Sequence, residues 1–186
     1  MQQNFQFSEH VQVLILLQLL DALMYLHKCD VIHCDIKPSN VLINFDMRGN
    51  MLVKLCDFGL SQIGSQPYQY KGTQGYIDPR TIATRTSYNQ ASDLWNLGVS
   101  LLCAFCDYKH IEDLKKKSYD SLDVPALLEK MNIPNTTLGS LIRILFAEQT
   151  SHSAFVKCID LIQNVPSSGS VSLVQLLKTS GFESGN

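Results

Sequence analysis

The sequence of 186 residues has little charge and no excess of either sign. Its 15 Lys and Arg residues are balanced by 17 Asp and Glu residues, which gives a formal net charge of −2. Because there is no broad cationic surface, we expect no binding to nucleic acid or to an anionic membrane. The only basic run, at residues 115–117, is typical of a solvated face, so we assign it no partner.

Signals for export are also missing. The N-terminal residues lack a basic region and a small-residue cleavage site, and the apolar run at 13–20 is short and interrupted by Gln. The six cysteines lie mostly in apolar segments, which predicts free thiols in a reducing compartment. Cys103 and Cys106 form a C-x-x-C pair, but no second pair completes a zinc site. We therefore expect a soluble intracellular protein, cytoplasmic or nuclear.

The 45% hydrophobic content predicts one globular domain over residues 1–165, followed at 166–186 by a linker, a short helix and a disordered tail. Apolar side chains occur nearly all round residues 9–28, which is typical of a buried helix. Further helices are predicted at 93–107, 124–131, 138–146 and 154–162, strands at 31–32, 41–43 and 51–56, and a mobile loop at 61–76. The predicted fold class is mainly α with short β-hairpins.

Polar side chains that suit phosphate chemistry are concentrated in two short segments. The first reads HCDIKPSN at residues 33–40, and the second reads DFG at 57–59. Pro38 prevents a regular helix, so the first segment is predicted to be a loop. The turn at 45–50 returns the chain as a hairpin and brings Asp57 close to Asn40. Carboxylate and amide oxygens suit Mg²⁺, and Lys37 is placed to neutralise a phosphate.

These segments resemble the catalytic loop H-R-D-x-x-x-x-N and the metal motif D-F-G of eukaryotic-type protein kinases of the serine/threonine type. Residues 72–80 resemble the substrate-binding loop that ends in A-P-E, and residues 92–99 resemble the start of the buried central helix. The resemblance covers about residues 9–162 and implies a protein-kinase-like C-terminal lobe. Nothing upstream resembles a Gly-rich loop or a V-A-I-K strand, so we expect the N-terminal lobe to be absent.

The resemblance also implies the chemistry of the site. Asp35 corresponds to the catalytic base, and Lys37 to the residue that contacts the γ-phosphate of ATP and marks the serine/threonine type. Asn40 and Asp57 correspond to the ligands of Mg²⁺, with the nucleotide bound through Lys37, Asn40 and Asp57. The expected cofactors are therefore ATP and Mg²⁺.

Five further positions are expected to have supporting roles. His33 belongs to the catalytic loop, Phe58 is expected to pack beside the metal, and Gly59 is expected to be a hinge. Thr73 matches a position that hydrogen-bonds the catalytic loop, and Asp93 matches one that holds its backbone.

Two positions depart from the family pattern. Cys34 replaces the Arg that, in kinases that have it, pairs with a phosphate on the activation segment, and a thiol cannot form that pair. Arg80 replaces the Glu of A-P-E, and its usual Arg partner falls near His152, so both members of that bridge have changed.

Two functions fit this sequence. The first is a serine/threonine protein kinase fragment that acts on a protein substrate. Whether it is a truncated chain, a genuine half-kinase or a lobe completed by an N-terminal lobe or a regulatory partner in trans stays open. The second is a kinase-like pseudo-enzyme lobe that acts as a scaffold or an allosteric binding module. Four converging polar groups favour the first, and the missing lobe favours the second. Subfamily and substrate stay open.

Overall fold

The computed structural model describes residues 7–106 and 128–164. Its helices are α1 (Glu9–Lys28), α2 (Pro79–Thr84), α3 (Gln90–Phe105), α4 (Thr137–Ala147) and α5 (Ser151–Asn164), and a 3-10 turn covers Pro38–Asn40. Its strands are β1 (Val31–Ile32), β2 (Val41–Phe45), β3 (Met51–Leu55) and β4 (Gln62–Ile63). The predicted class, mainly α with short β-hairpins, agrees with this inventory.

Helix α1 lies in the core, as its apolar composition predicts. Its buried side chains include Leu16, Leu20 and Leu23, and it packs against α3, α4, α5 and β3. The helix is long and apolar enough to cross a membrane by length and composition alone. Core helices of soluble proteins pass the same test, and the packing of α1 accounts for its apolar residues without a membrane.

Helix α3 is the centre of the core and positions the loop described below. It begins three residues earlier than predicted because Asn89 and Ser92 form a capping box at its N-terminus. Trp95 is fully buried, and its ring lies 4.8 Å from that of Phe146 on α4. A Cβ atom at Gly98 would lie 2.6 Å from the Phe146 ring, so the close approach of α3 and α4 requires glycine there.

The strands form two separate antiparallel pairs. Strands β2 and β3 pair from Val41 with Leu55 to Phe45 with Met51, which confirms the predicted hairpin. Strand β4 pairs with β1 and lies inside the segment that we predicted to be a mobile loop. That prediction was wrong for Gln62 and Ile63, because a strand of two residues gives no periodicity in the sequence.

Several predictions fall wholly or partly outside the described residues. They are the linker, helix and tail at 166–186, the basic run at 115–117 and most of the helix at 124–131. Within the described part, the predicted helices at 138–146 and 154–162 correspond to α4 and α5. All six cysteines are free thiols, as expected.

Candidate active site

One carboxylate on α3 anchors the backbone of the loop at 33–40. Asp93 is fully buried, and its Oδ2 and Oδ1 accept hydrogen bonds from the backbone N–H groups of His33 and Cys34 at 2.8 and 2.9 Å. Nε2 of His27 lies 2.9 Å from Oδ2. Cys34 has a left-handed backbone with φ of 68°, a conformation that persists only where surrounding contacts hold it. Asp93 supplies those contacts.

The carboxylate of Asp35 lies at the centre of a hydrogen-bond cluster. Its Oδ1 accepts from the backbone N–H and the hydroxyl of Thr73 at 2.8 and 2.6 Å. Its Oδ2 accepts from Nζ of Lys37 at 2.8 Å and from Nδ2 of Asn40 at 3.3 Å. Burial raises the pKa of Asp35, but the hydrogen bonds from Lys37 and Thr73 outweigh burial and hold the pKa below its usual value. The group is therefore an ionised proton acceptor in a fixed orientation at neutral pH.

Lys37 joins the catalytic loop at 33–40 to Thr73, which follows β4 in the chain. Its Nζ donates to Asp35 and also to the hydroxyl oxygen of Thr73 at 2.7 Å. The side chain is 23% exposed, so the ammonium faces both the cluster and solvent. A cation in that position can contact a phosphate while it keeps the carboxylate ionised.

Asn40 and Asp57 are brought together by the hairpin, as predicted. The backbone N–H of Cys56 donates to the carbonyl of Asn40 at 3.0 Å, which places the next residue, Asp57, at the same end of the strand pair. Nδ2 of Asn40 donates to the backbone carbonyl of Asp35 at 2.9 Å, which fixes the side-chain amide. Asp57 is exposed and has a φ of 63°, which the turn at the end of β3 imposes.

This pair of oxygens fits a hard cation with few protein ligands. No cluster of three or more His, Cys, Asp or Glu side chains occurs among the described residues, so a closed all-protein cage is absent there. Mg²⁺ keeps several waters and binds through one or two protein oxygens together with phosphate. The Oδ1 atom of Asn40 and the carboxylate of Asp57 would be those protein ligands.

The structure describes the contacts of Phe58 and Gly59, and their expected roles stay predictions. Phe58 is 47% exposed, and its ring lies 4.9 Å from that of the fully buried His33, so it packs on the loop with one face only. The left-handed residue of the turn is Asp57 and not Gly59. A Cβ atom at Gly59 would lie 3.2 Å from Oδ1 of Asp57, so the side chain of Asp57 would have to shift slightly to admit it.

Comparison with known sequences decides the family. A family model of the protein kinase domain matches residues 1–175. The chain belongs to the protein kinase family. A probable serine/threonine-protein kinase, pXi, from Dictyostelium discoideum is 44% identical over 90 residues, which cover 45% of this chain and 13% of that protein. A probable myosin light chain kinase from the same organism is 32% identical over 163 residues, which cover 82% of this chain and 47% of that protein.

A solved kinase structure has a similar fold. The Cydia pomonella granulovirus kinase PK-1 superposes with a TM-score of 0.58 at 21% sequence identity, over 82% of this chain and 59% of that chain. At this identity the similarity concerns the fold alone. The present kinase chain spans less than half the length of either Dictyostelium relative.

The partner of Arg80 is Asp78, which the motifs of the sequence did not identify. The Nε and Nη2 atoms of Arg80 donate to both carboxylate oxygens of Asp78 at 2.8–3.0 Å, and its guanidinium lies 5.4 Å from the ring centre of Trp95. Asp78 is buried and also caps the N-terminus of α2. An acidic residue directly before Pro79 was the available signal, since Asp is a preferred N-cap.

An open groove of about 970 Å³ lies between α1, β3 and the beginning of α5. Phe58 reaches its edge, and His27, Tyr25, Leu55 and His152 also line it. None of Asp35, Lys37, Asn40 or Asp57 lines this groove. These four polar side chains of the candidate site therefore lie outside the lining of the groove.

Proposed function

We propose that this chain supplies the catalytic and metal-binding residues of a serine/threonine protein kinase. The kinase transfers the γ-phosphate of ATP to a protein hydroxyl, with Asp35 as the base. The observation that carries the proposal is the orientation of Asp35 by Thr73, Lys37 and Asn40 at 2.6–3.3 Å. The relative pXi, which is named a probable serine/threonine-protein kinase, supports the acceptor type.

In this mechanism the substrate hydroxyl oxygen bonds to the γ-phosphorus while the bond from that phosphorus to the β,γ-bridging oxygen breaks. The hydroxyl proton passes to Asp35. Four donors already surround its carboxylate, and the contact from Asn40 at 3.3 Å is the longest. The substrate hydroxyl is expected to replace that contact, because a carboxylate accepts about four hydrogen bonds.

Lys37 and the metal have separate tasks in the proposal. Nζ of Lys37 contacts the γ-phosphate and neutralises charge as the bond to the leaving group lengthens. Mg²⁺, when bound by Asn40 and Asp57, supplies further positive charge at the phosphate oxygens. Both positions follow the residue-by-residue match to the family loop.

The alternative, a kinase-like lobe that acts as a scaffold or an allosteric module, is supported by the hairpin of β2 and β3. Its apolar side chains are exposed, with Leu42 at 54%, Phe45 at 60% and Leu52 at 39%. An N-terminal lobe or a regulatory partner in trans would cover them. We place either form in the cytoplasm or nucleus, since the six thiols are free.

The test of catalysis is phosphorylation of a peptide library by the chain alone and by the chain fused to the ATP-covering lobe of a related kinase. We expect weak binding of ATP-Mg and low turnover by the chain alone, and a rise in both on fusion. In the fused form, Asp35→Asn should lower kcat by about 100-fold or more, since it removes the base without changing shape. Asp57→Ala should remove nucleotide and metal binding together in calorimetry.

Asp21→Asn is the matched control, because Asp21 is exposed on the opposite side of α1 from the core and should leave kcat unchanged. Retention of more than about a tenth of the rate by Asp35→Asn would contradict its role as base. Phosphotyrosine as the main product would contradict the acceptor type. Low-micromolar ATP-Mg binding with no transfer in any form would favour the alternative.

A further inference from the structure

Residues 71–73 run in direct contact with the catalytic loop. Gly72 has a φ of 97°, and a Cβ atom there would lie 2.7 Å from the carbonyl oxygen of Cys34. The next residue, Thr73, makes its two hydrogen bonds to Asp35. The position of Thr73 therefore depends on how closely the backbone at Gly72 approaches Cys34.

The hydroxyl of Tyr88, just before α3, holds the residue on the other side of Gly72. It donates to the backbone carbonyl of Lys71 at 2.5 Å and accepts from the backbone N–H of Lys71 at 3.3 Å. Nζ of Lys71 lies 5.5 Å from the centre of the same ring. Burial raises the pKa of Tyr88 to about 12, so the hydroxyl stays protonated and available as a donor.

The surface beneath this segment is apolar. Cys34, Ile32, Ile77 and Tyr88 form a buried cluster separate from the main core. Burial raises the pKa of the Cys34 thiol to about 12, more than the charge of nearby Lys71 lowers it, so the thiol is neutral. The neutral thiol itself cannot pair with a phosphate. It interacts with the segment through the side chain of Lys71 and through packing in this cluster.

The preceding part of the segment is fastened to the same place. The backbone at Tyr88 accepts a hydrogen bond from Nε2 of Gln62 at 3.1 Å, and the hydroxyl oxygen of Ser87 accepts from the backbone N–H of Gln66 at 3.2 Å. Gln62 itself belongs to β4, which pairs with β1. Residues 62–73 are thus tied to the lobe at both ends by protein groups alone.

We propose that Tyr88 is a positioning residue whose hydroxyl clamps Lys71 and so holds Thr73 against Asp35 with no phosphate on the segment. We call this contact the Tyr88 clamp. Its regulatory meaning, that the substrate loop is ordered constitutively, rests on the proposed kinase function. The geometry itself does not, so the two can be tested apart.

Amide hydrogen exchange of the 186-residue chain tests the geometry without any need for activity. In the wild-type chain the amides of Lys71 and Thr73 should be protected, because Tyr88 and Asp35 accept from them. Tyr88→Phe keeps the ring and removes the hydroxyl, and we expect exchange at 71–73 to become about fivefold to tenfold faster. Tyr25→Phe is the control, since Tyr25 is 69% exposed on α1, and it should leave exchange at 71–73 unchanged.

A kinetic measurement then separates positioning from general stability. In a form that phosphorylates peptides, Tyr88→Phe should raise KM for the peptide or lower kcat by about fivefold to tenfold while KM for ATP stays constant. Phosphatase treatment of the wild-type form should leave its rate within about twofold, since no phosphate takes part in the clamp. A total absence of transfer would refute the proposed function. The hydrogen-exchange measurement alone would then test the Tyr88 clamp.

Three results would overturn the clamp. One is an unprotected Lys71 amide in the wild-type chain, a measurement that does not depend on the folding of any variant. The second is unchanged exchange at 71–73 in a folded Tyr88→Phe chain. The third is a loss of peptide phosphorylation on phosphatase treatment.

Discussion

Replacement of Asp93 by Asn tests how the catalytic loop is held. The buried carboxylate accepts from the backbone N–H groups of His33 and Cys34 at 2.8 and 2.9 Å, and His27 lies beside it. Asn has almost the same shape but only one acceptor oxygen, so its NH₂ group would face a donor. We expect Asp93→Asn to leave one buried backbone N–H without an acceptor and to weaken the other contacts.

The size of the effect follows from these contacts. A hydrogen bond to a charged group contributes about 1.5–3 kcal/mol, and a buried donor left without a partner costs about 1–3 kcal/mol. Loss of one partner of a buried charged cluster typically lowers the free energy of unfolding by about 3–5 kcal/mol. At about 2–4 °C per kcal/mol for a chain of this size, Tm should fall by about 6–20 °C.

Urea unfolding followed by tryptophan fluorescence measures this change. Trp95 is the only tryptophan of the chain and is fully buried, so its emission reports exposure of the core. Asp21→Asn, at an exposed position on α1, is the matched control and should change the free energy of unfolding by less than about 0.5 kcal/mol. If Asp93→Asn cost less than about 1 kcal/mol, the loop would not be held by these bonds, and our reasoning would fail.

Three other substitutions give sharp expectations. Gly98→Ala should lower the free energy of unfolding by about 1–2 kcal/mol, although Ala has the better helix propensity. The reason is that the added Cβ would lie 2.6 Å from the Phe146 ring. A stabilised variant in urea unfolding would contradict that packing. Arg80→Glu should cost at least about 2 kcal/mol, since it places a second negative charge beside buried Asp78, and an increase in Tm would show a different environment. Because the pKa of Asp35 is lowered, its contribution to stability is complete above the usual value of 3.8 and is lost as the pH falls through the folded-state pKa. Asp35→Asn should accordingly destabilise the chain at about pH 7, and the loss should become smaller as the pH falls below 3.8. A loss that does not change with pH would exclude the charge as its cause.

Local patterns predicted the frame of the site well. The apolar helix α1, the hairpin of β2 and β3 and the loop at 33–40 each depend on neighbours in the sequence, through helical burial, turn residues and Pro38. The roles of Asp93 and Thr73 came from the family match. The structure gives each of them the contacts that the match implied, with His33 and Cys34 for the first and Asp35 for the second.

The parts that the sequence did not predict depend on pairs far apart in the chain. Strand β4 has only two residues, and its partner β1 lies 30 residues earlier, so no local pattern marks it. The hydroxyl of Tyr88 contacts backbone atoms of Lys71, 17 positions earlier in the chain. Almost any residue at 71 would offer the same backbone atoms, so the sequence does not mark this contact. The contact of Phe58 with His33 joins residues 25 positions apart, and the local pattern of the sequence does not mark it.

The distance in sequence between the catalytic loop and Asp93 also has a consequence for synthesis of the protein. The backbone donors of His33 and Cys34 find their acceptor 60 and 59 residues later in the chain. At about 5–20 residues per second, the ribosome needs about 3–12 s to add those residues. Throughout that interval the nascent loop has no acceptor, and the apolar helix α1 has no α3 to cover it. The catalytic loop of this kinase is therefore expected to become ordered only after α3 has docked.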